Sequence, residues 1–246
     1  MHLPASGLSP GLPKLDTITA FPLEDRWLLS RLSTVSAAVS SNIEHYHFAE
    51  AARLLYAFAW DEFCSAYLEL CKPRLNDPSQ KGQACHMLLL GLDTILRLLH
   101  PIMPFVTEEI WQNLAQDHGH RCYPWDTKAI PPSIMVATWP RPPENWQDRA
   151  TEKQFQIFLE IVGAIREIRS RQNVPPRKSV DVTVCPPTHN QAMLIPMQSA
   201  IEAMAVCRVV GLASDAHPAP GSAEISAADC DIFIDLADLI DIDAEI

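Results

Sequence analysis

The stretch Leu98–Trp111, LLHPIMPFVTEEIW, decides the fold of the chain around it. An apolar helical run ends at His100, because two prolines follow within four residues and proline disfavours the helical conformation of the residue before it. We expect Thr107 to cap a new helix, with Glu108 and Glu109 in a first turn whose dipole favours negative charge. The stretch therefore predicts a helix–loop–helix corner, with His100 capping carbonyls of the first helix.

Apolar spacing predicts further helices on both sides of this corner. Leu28, Leu32, Val35 and Val39, for example, recur every three or four residues, as on one face of a helix. The predicted helices are Leu23–Ile43, Phe48–Lys72, Gln83–Leu99, Pro104–Leu114, Thr151–Asn173 and Gln191–Val206. The predicted strands are Ser179–Cys185, Cys207–Leu212 and Asp231–Leu236. The expected fold is mainly α, a helical bundle followed by a small α+β subdomain.

The distribution of prolines and tryptophans predicts three regions. Residues 1–22 are rich in proline and glycine and are expected to form an extended lead-in. Residues 23–145 are expected to form the bundle, with a closing loop rich in proline and tryptophan that packs back on the helices. Residues 146–246 are expected to form the α+β subdomain.

Charge is distributed unevenly along the 246 residues, whose net charge is -11. Nine acidic residues and no Lys or Arg follow Gly211, so residues 1–211 hold the other 21 acidic residues against 19 basic ones. This near-neutral body argues against broad polyanion binding but permits a local basic face. With no apolar run long enough for a membrane span and no signal-peptide pattern, we expect a cytoplasmic protein that does not associate with membranes.

The seven cysteines form no Cys-x-x-Cys pair and several lie in apolar helical stretches, so free buried thiols are expected. The pairs His45/His47 and His118/His120 lack further ligands at zinc spacing. No metal and no cofactor are therefore expected in this chain.

Several stretches resemble class I aminoacyl-tRNA synthetases of the valyl branch, in the order that this family has them. The stretches are LEDRWLLSRL at Leu23–Leu32, YAFAWDEFCSAYLELCK at Tyr56–Lys72, the corner at Leu98–Trp111, Trp139-Pro140, IREIRSRQNVP at Ile165–Pro175, and LADLIDIDAEI at Leu236–Ile246. Isoleucyl and leucyl enzymes share the bundle, but Glu62-Phe63-Cys64 is more typical of the valyl branch. The resemblance identifies an anticodon-binding region, with the last stretch leading to a coiled-coil arm that is absent here.

This resemblance implies a module that recognises the anticodon stem-loop of a valine tRNA. It also implies a parent valine–tRNA ligase that uses ATP, with the catalytic domain of the same parent chain as a partner and a monomeric state. The HIGH and KMSKS signatures that hold ATP in class I enzymes are absent from this chain, so we expect no catalysis by it. Ser65-Ala66 replaces the Asp-Trp that is usual in the family.

The first helix supplies the leading candidates for tRNA contact. Trp27 offers a stacking face, and Arg26 and Arg31 offer guanidinium donors for unstacked anticodon bases. The alternative for Trp27 is a half-buried ring covered by an arginine stem.

Further basic residues are weaker candidates for contact with phosphate. Lys72 and Arg74 end the second helix, where they could instead be a solvated cap. Arg166 and Arg169 share a helix face within the densest basic cluster, and salt bridges to the acidic C-terminal segment are the alternative. The alternative function is a helical protein-interaction module that binds no RNA. The net negative charge of the chain would suit this alternative.

Overall fold

A computed structural model describes residues 18, 21–118, 131–217 and 219–235, with the backbone alone at 115–118. The chain divides into two compact units, Met1–Glu152 and Lys153–Ile246. The first unit is a helical bundle and the second an α+β subdomain, which confirms the predicted fold class. The expected lead-in is described only at residues 18, 21 and 22, while the His118/His120 side chains, Cys122 and Leu236–Ile246 lie outside the described residues.

Within the described residues of the first unit, five α-helices and one π-helical stretch form the bundle. The helices are α1 (Leu23–Glu44), α2 (Phe48–Tyr56), α3 (Leu68–Asn76), α4 (Lys81–Leu99) and α5 (Pro104–His118), and the π segment (Ala57–Tyr67) joins α2 to α3. Apolar side chains of α1 and α4, such as Leu28, Leu32 and Leu90, are fully buried, as their helical spacing predicts. The core of the bundle therefore follows from the apolar stripes of its helices.

The second predicted helix is continuous, but it differs from an ordinary α-helix in two respects. Its middle is π-helical, and the Ser65 hydroxyl donates to the Trp60 carbonyl, five residues earlier, at 2.7 Å. It also continues past Pro73 to Asn76, so its predicted end at Lys72 was wrong. The physical reason is the burial of Arg74 and Leu75 in the last turn, which holds that turn against the bundle.

The corner forms, but α5 begins at Pro104 rather than at a Thr107 cap. Proline suits the first helical position because its missing N–H would have no helical partner there. Thr107 is buried inside the helix, where its hydroxyl donates to the Met103 carbonyl at 2.8 Å. Glu108 lies one turn into the helix and accepts hydrogen bonds from Ser133 and from the backbone of Ile134, so it anchors the following loop.

Two polar contacts hold the corner and the closing loop on the bundle. Asp93 of α4 accepts from Arg97 Nε at 2.7 Å and from Trp111 Nε1 at 3.0 Å, which ties α5 to α4. In the described part of the closing loop, Trp139 Nε1 donates to Ser40 Oγ at 2.8 Å. The described part of this loop therefore contacts α1, while the packing of the whole closing loop stays a prediction.

The second unit contains a mixed four-stranded sheet in the order β2-β1-β4-β3. Its elements are α6 (Arg149–Arg171, which begins in the first unit), β1 (Val180–Cys185), α7 (Thr188–Leu194), α8 (Gln198–Ala205), β2 (Cys207–Leu212), β3 (Ala223–Ala227) and β4 (Cys230–Ile234). Strand β1 is parallel to β2 and antiparallel to β4, and β3 is antiparallel to β4.

Two predictions for this unit needed correction. The predicted helix Gln191–Val206 is divided into α7 and α8 by a 3-10 turn at Ile195–Met197, where Pro196 cannot donate a helical hydrogen bond. Strand β3 was not predicted. The predicted boundary after residue 145 stays a prediction. Within the described part of the chain, no helix is both long and apolar enough to cross a membrane.

Candidate nucleic-acid interface

Hydrogen bonds around Asp25 fix which helix ends lie together. Asp25, at the start of α1, accepts two bonds from Arg74 at the end of α3, at 2.7 and 2.8 Å. It also accepts from Gln83, at the start of α4, at 2.7 Å. We call this region the Asp25 end. The α1–α2 turn and the α4–α5 corner therefore lie at the opposite end, about 30 Å away for a helix as long as α1.

The α1–α2 turn presents four ring side chains in succession, His45, Tyr46, His47 and Phe48. The two imidazole rings stack with centroids 6.2 Å apart, and the Tyr46 and Phe48 rings meet edge to face at 6.1 Å. Tyr46 is 80% exposed and Phe48 is 56% exposed. These side chains thus present aromatic surface to solvent, and exposed apolar patches often mark the sites at which proteins bind ligands or partners.

The backbone of this turn is strained at Tyr46, whose φ of 62° is left-handed. The N–H of His47 donates to the Asn42 carbonyl at 2.7 Å and that of Tyr46 to the Ile43 carbonyl at 3.0 Å, which is the Schellman ending of a helix. Glycine is preferred at the left-handed position, and another residue costs about 1–2 kcal/mol there. Such strain is often stored at functional sites.

The α4–α5 corner adds an apolar surface at the same end. All six residues from Pro101 to Val106 are exposed, and Phe105 is 91% exposed. A side-chain contact links the two sides of the corner, because His100 Nδ1 lies 2.8 Å from Thr107 Oγ1 of α5. His100 therefore bonds a side chain rather than the helix carbonyls that we predicted. We call residues 44–50 and 100–106 together the aromatic end.

The predicted contact residues of α1 lie elsewhere. Trp27 is only 3% exposed, with its ring centroid 6.5 Å from that of Tyr67, so it cannot stack on a base in this structure. Arg31 donates to both Glu62 oxygens at 2.6 and 2.9 Å and to Glu152 at 3.3 Å. Burial opposes its charge, but the Glu62 hydrogen bond raises the pKa of Arg31. Arg26 is partly exposed near the Asp25 end.

The predicted pair at the end of the second helix separates into a buried and an exposed residue. Arg74 is buried, and although burial opposes its charge, the Asp25 hydrogen bonds raise its pKa. Burial, together with the Asp25 carboxylate, raises the pKa of Tyr67, whose hydroxyl donates to Asp25 at 2.6 Å. Arg74 is thus a structural cation and not a solvated cap. Lys72 is exposed and pairs with Glu69 at 2.6 Å.

Arg166 and Arg169 bind backbone carbonyls within the second unit. Arg166 donates to the Met204 carbonyl at 3.1 and 2.8 Å, and Arg169 donates to the Val206 carbonyl at 2.8 Å. Both carbonyls lie at the end of α8, where a cation satisfies acceptors that the helix leaves free. Burial lowers the pKa of Arg169. The predicted salt bridges of these two arginines to the acidic segment do not occur among the described residues.

Neither thiols nor histidines form a metal site in the described part of the chain. Six of the seven cysteines are described, and all six are free thiols, as we predicted. Four of them are buried, but Cys64 is exposed and Cys185 is half-buried, so the predicted burial is wrong for these two. No group of three or more His, Cys, Asp or Glu side chains among the described residues could hold a metal ion.

Comparison with known proteins identifies the family. The model of the family "Anticodon-binding domain of tRNA ligase" matches residues 25–184. The chain belongs to this family. The match covers the bundle, including the aromatic end and the Asp25 end, and continues through β1.

Curated relatives are valine–tRNA ligases. That of Rhodopirellula baltica is 45% identical over 93% of this chain and 22% of its own length. Those of Carboxydothermus hydrogenoformans and Listeria innocua are 36% and 34% identical over 97% and 95% of this chain. The chain spans about a quarter of the length of these relatives.

Sequence reasoning missed the aromatic end of this anticodon-binding domain. The signal was present, since four ring residues in a row between two helices serve neither apolar stripe. By sequence alone, His45 and His47 form a His-x-His pair and the corner is a helix break and a family motif, and neither pattern indicates a shared surface. The positions of both turns in the bundle depend on Asp25 and its distant partners, which no local pattern shows.

Proposed function

We propose that this chain binds the anticodon stem-loop of a tRNA and that the loop contacts the aromatic end. The observation that carries this proposal is the exposure of Tyr46, Phe48 and Phe105 at one end of a well-packed bundle. Proteins recognise single-stranded RNA loops by stacking unstacked bases on aromatic side chains. Membership of the anticodon-binding family supports RNA as the ligand.

The Asp25 end does not offer equivalent chemistry. Trp27 and Arg74 are buried there, and Arg31 is engaged by two carboxylates. Among the residues predicted from the sequence, Arg26 and Lys72 remain candidates for contact with phosphate. Such contacts would position the RNA without reading its bases.

We also propose that the chain works with the catalytic part of a valine–tRNA ligase. Its support is the similarity to valine–tRNA ligases across almost the whole of this chain. The valine tRNA would then be the natural ligand, and ATP would be used by the catalytic part in the cytoplasm. A monomeric state and the absence of a cofactor in this chain belong to the same proposal.

A protein-interaction module remains the alternative function, because exposed apolar patches also mark protein interfaces. The exposed corner is the observation that favours it. The two functions differ in what they predict for RNA, so one binding experiment distinguishes them.

Fluorescence anisotropy with a labelled anticodon stem-loop RNA, carrying a valine anticodon, tests the proposal. Phe48→Ala and Phe105→Ala should each weaken binding by roughly five-fold or more, since a base–aromatic stack contributes ~1–3 kcal/mol. Trp60→Ala is the matched control, because Trp60 is 61% exposed but lies in the π segment, away from both turns.

Circular dichroism should show that all three variants fold, as the substituted rings are exposed. Equal loss of binding in the Trp60→Ala variant would contradict the proposed location. Absence of RNA binding by the unsubstituted chain would refute the function itself.

A further inference from the structure

We propose that His45 and His47 bind RNA phosphate in their cationic form, so that RNA binding at the aromatic end takes up protons. This inference rests on the proposed function and adds a phosphate-binding element and a pH dependence to the same site. The chemical class of its ligand is the phosphodiester group beside the stacked bases.

The aromatic end lacks any permanent cation. Residues 44–50 and 100–106 include no Lys or Arg. The nearest arginine in sequence, Arg53 of α2, donates to Glu50 at 2.9 Å and is thereby engaged. Electrostatic attraction to phosphate supplies a large share of protein–nucleic acid affinity. Within residues 44–50 and 100–106, positive charge can therefore come only from the histidines.

The two histidines are the exposed groups of the α1–α2 turn that can supply this charge. The imidazole changes charge between pH 5 and 8. His45 Nδ1 lies 2.8 Å from the Ser41 carbonyl, and a carbonyl only accepts, so Nδ1 carries a hydrogen. The incoming proton then binds Nε2, on the side of the ring away from the helix. His47 stacks on His45 and is likewise exposed.

Other charged and titratable groups near the turn do not replace them. Glu44 is an exposed acid at the end of α1 and would repel phosphate, whereas Glu50 is paired with Arg53. At the α4–α5 corner, His100 Nδ1 is engaged by Thr107, and Glu108 binds the loop that follows α5.

The two ring centroids are 6.2 Å apart, and two exposed like charges at that distance repel each other only weakly in water. Each proton comes from solvent and binds one ring nitrogen, and the N–H then donates to a phosphate oxygen. No covalent bond of the RNA changes. The pair is thus a proton-dependent counterpart of the lysines and arginines that usually contact phosphate.

The test measures the Kd of the valine anticodon stem-loop RNA for the whole chain between pH 6.0 and 8.0. We expect binding to be roughly ten-fold tighter at pH 6.0, with a steeper salt dependence there because more phosphate charge is neutralised. The double variant His45→Asn, His47→Asn should bind with a nearly constant Kd, close to the value of the unsubstituted chain at pH 8.0.

Two further variants control for titration elsewhere and for folding. His189→Asn changes an exposed histidine of the second unit and should leave the pH dependence intact. The double variant His45→Lys, His47→Lys keeps the positive charge at every pH tested. It should bind tightly at pH 8.0 as well as at pH 6.0, which a misfolded turn would not do.

A constant Kd for the unsubstituted chain would overturn this inference and leave the proposed function standing. The same pH dependence in the asparagine double variant would place the protons on other groups and would also overturn it. Absence of RNA binding at both pH values would refute the proposed function and, with it, the role of the two histidines.

Discussion

Trp27 is the residue whose role the structure changes most. Its ring is buried in the bundle, so Trp27→Ala should lower the free energy of unfolding by ~3–5 kcal/mol, as for other large buried side chains. Urea denaturation measures this loss. RNA affinity, determined at a temperature where the variant is folded, should equal that of the unsubstituted chain.

Trp60→Ala is the matched control, because it removes a tryptophan that is mostly exposed. It should change stability by less than about 1 kcal/mol. A Trp27→Ala variant that keeps its stability but loses RNA affinity would contradict this prediction. It would support the stacking of Trp27 on anticodon bases that the sequence predicts.

Residue identity alone could not distinguish basic side chains that are available to phosphate from those held in ion pairs within the protein. The sequence shows Arg74 at the end of a helix, where a solvated cap is a reasonable expectation. Its partner Asp25 lies 49 residues earlier in the chain. Only the folded bundle brings them within 2.7 Å, which converts a candidate phosphate ligand into a buried ion pair.

Gly91 marks the closest approach between α4 and the π segment. A Cβ at this position would lie 2.4 Å from Cε2 of Phe63, a buried ring that stacks on Tyr67. Gly91→Ala should therefore destabilise the bundle by ~1–3 kcal/mol through overpacking, although alanine is the better helix former.

Gly163→Ala is the matched control in α6, since nothing lies within 4 Å of its added Cβ. It should stabilise the chain by ~0.5–1 kcal/mol. Thermal denaturation compares both variants with the unsubstituted chain. A stabilised Gly91→Ala variant would show that α4 does not pack against Phe63 as described.

Helix locations followed from apolar spacing, whereas details within helices did not. The periodicity between Phe48 and Lys72 predicted an ordinary helix with 3.6 residues per turn. The middle is instead π-helical, with i→i+5 hydrogen bonds that change which side chains share a face. Ser65 supplies part of the explanation, since its hydroxyl satisfies the Trp60 carbonyl within this stretch. The usual Asp-Trp of the family would place different groups at Ser65 and Ala66.

The order of the predicted helices and strands, a run of helices followed by alternating helices and strands, predicted the fold class. Strand β3 escaped prediction because its five residues, AEISA, are short and half exposed at a sheet edge. The candidate interface escaped prediction for a different reason. It combines two turns that lie more than 50 residues apart in sequence, and their common location depends on how the helices alternate in direction.

At the scale of the whole molecule, the sequence predicts binding without catalysis. No HIGH, KMSKS or glycine-rich phosphate loop occurs among the 246 residues. The pure chain should therefore show no valine-dependent exchange of pyrophosphate into ATP. Exchange above the background of a sample without valine would contradict this prediction.

We expect an anticodon loop to bind at the aromatic end and not at the Asp25 end. Heteronuclear NMR of the ¹⁵N-labelled chain, titrated with the valine anticodon stem-loop RNA, observes both ends of the bundle in one experiment. The amide resonances of residues 44–50 and of the non-proline residues of 100–106 should shift most. Shifts confined to residues 24–31 and 72–83 would contradict it.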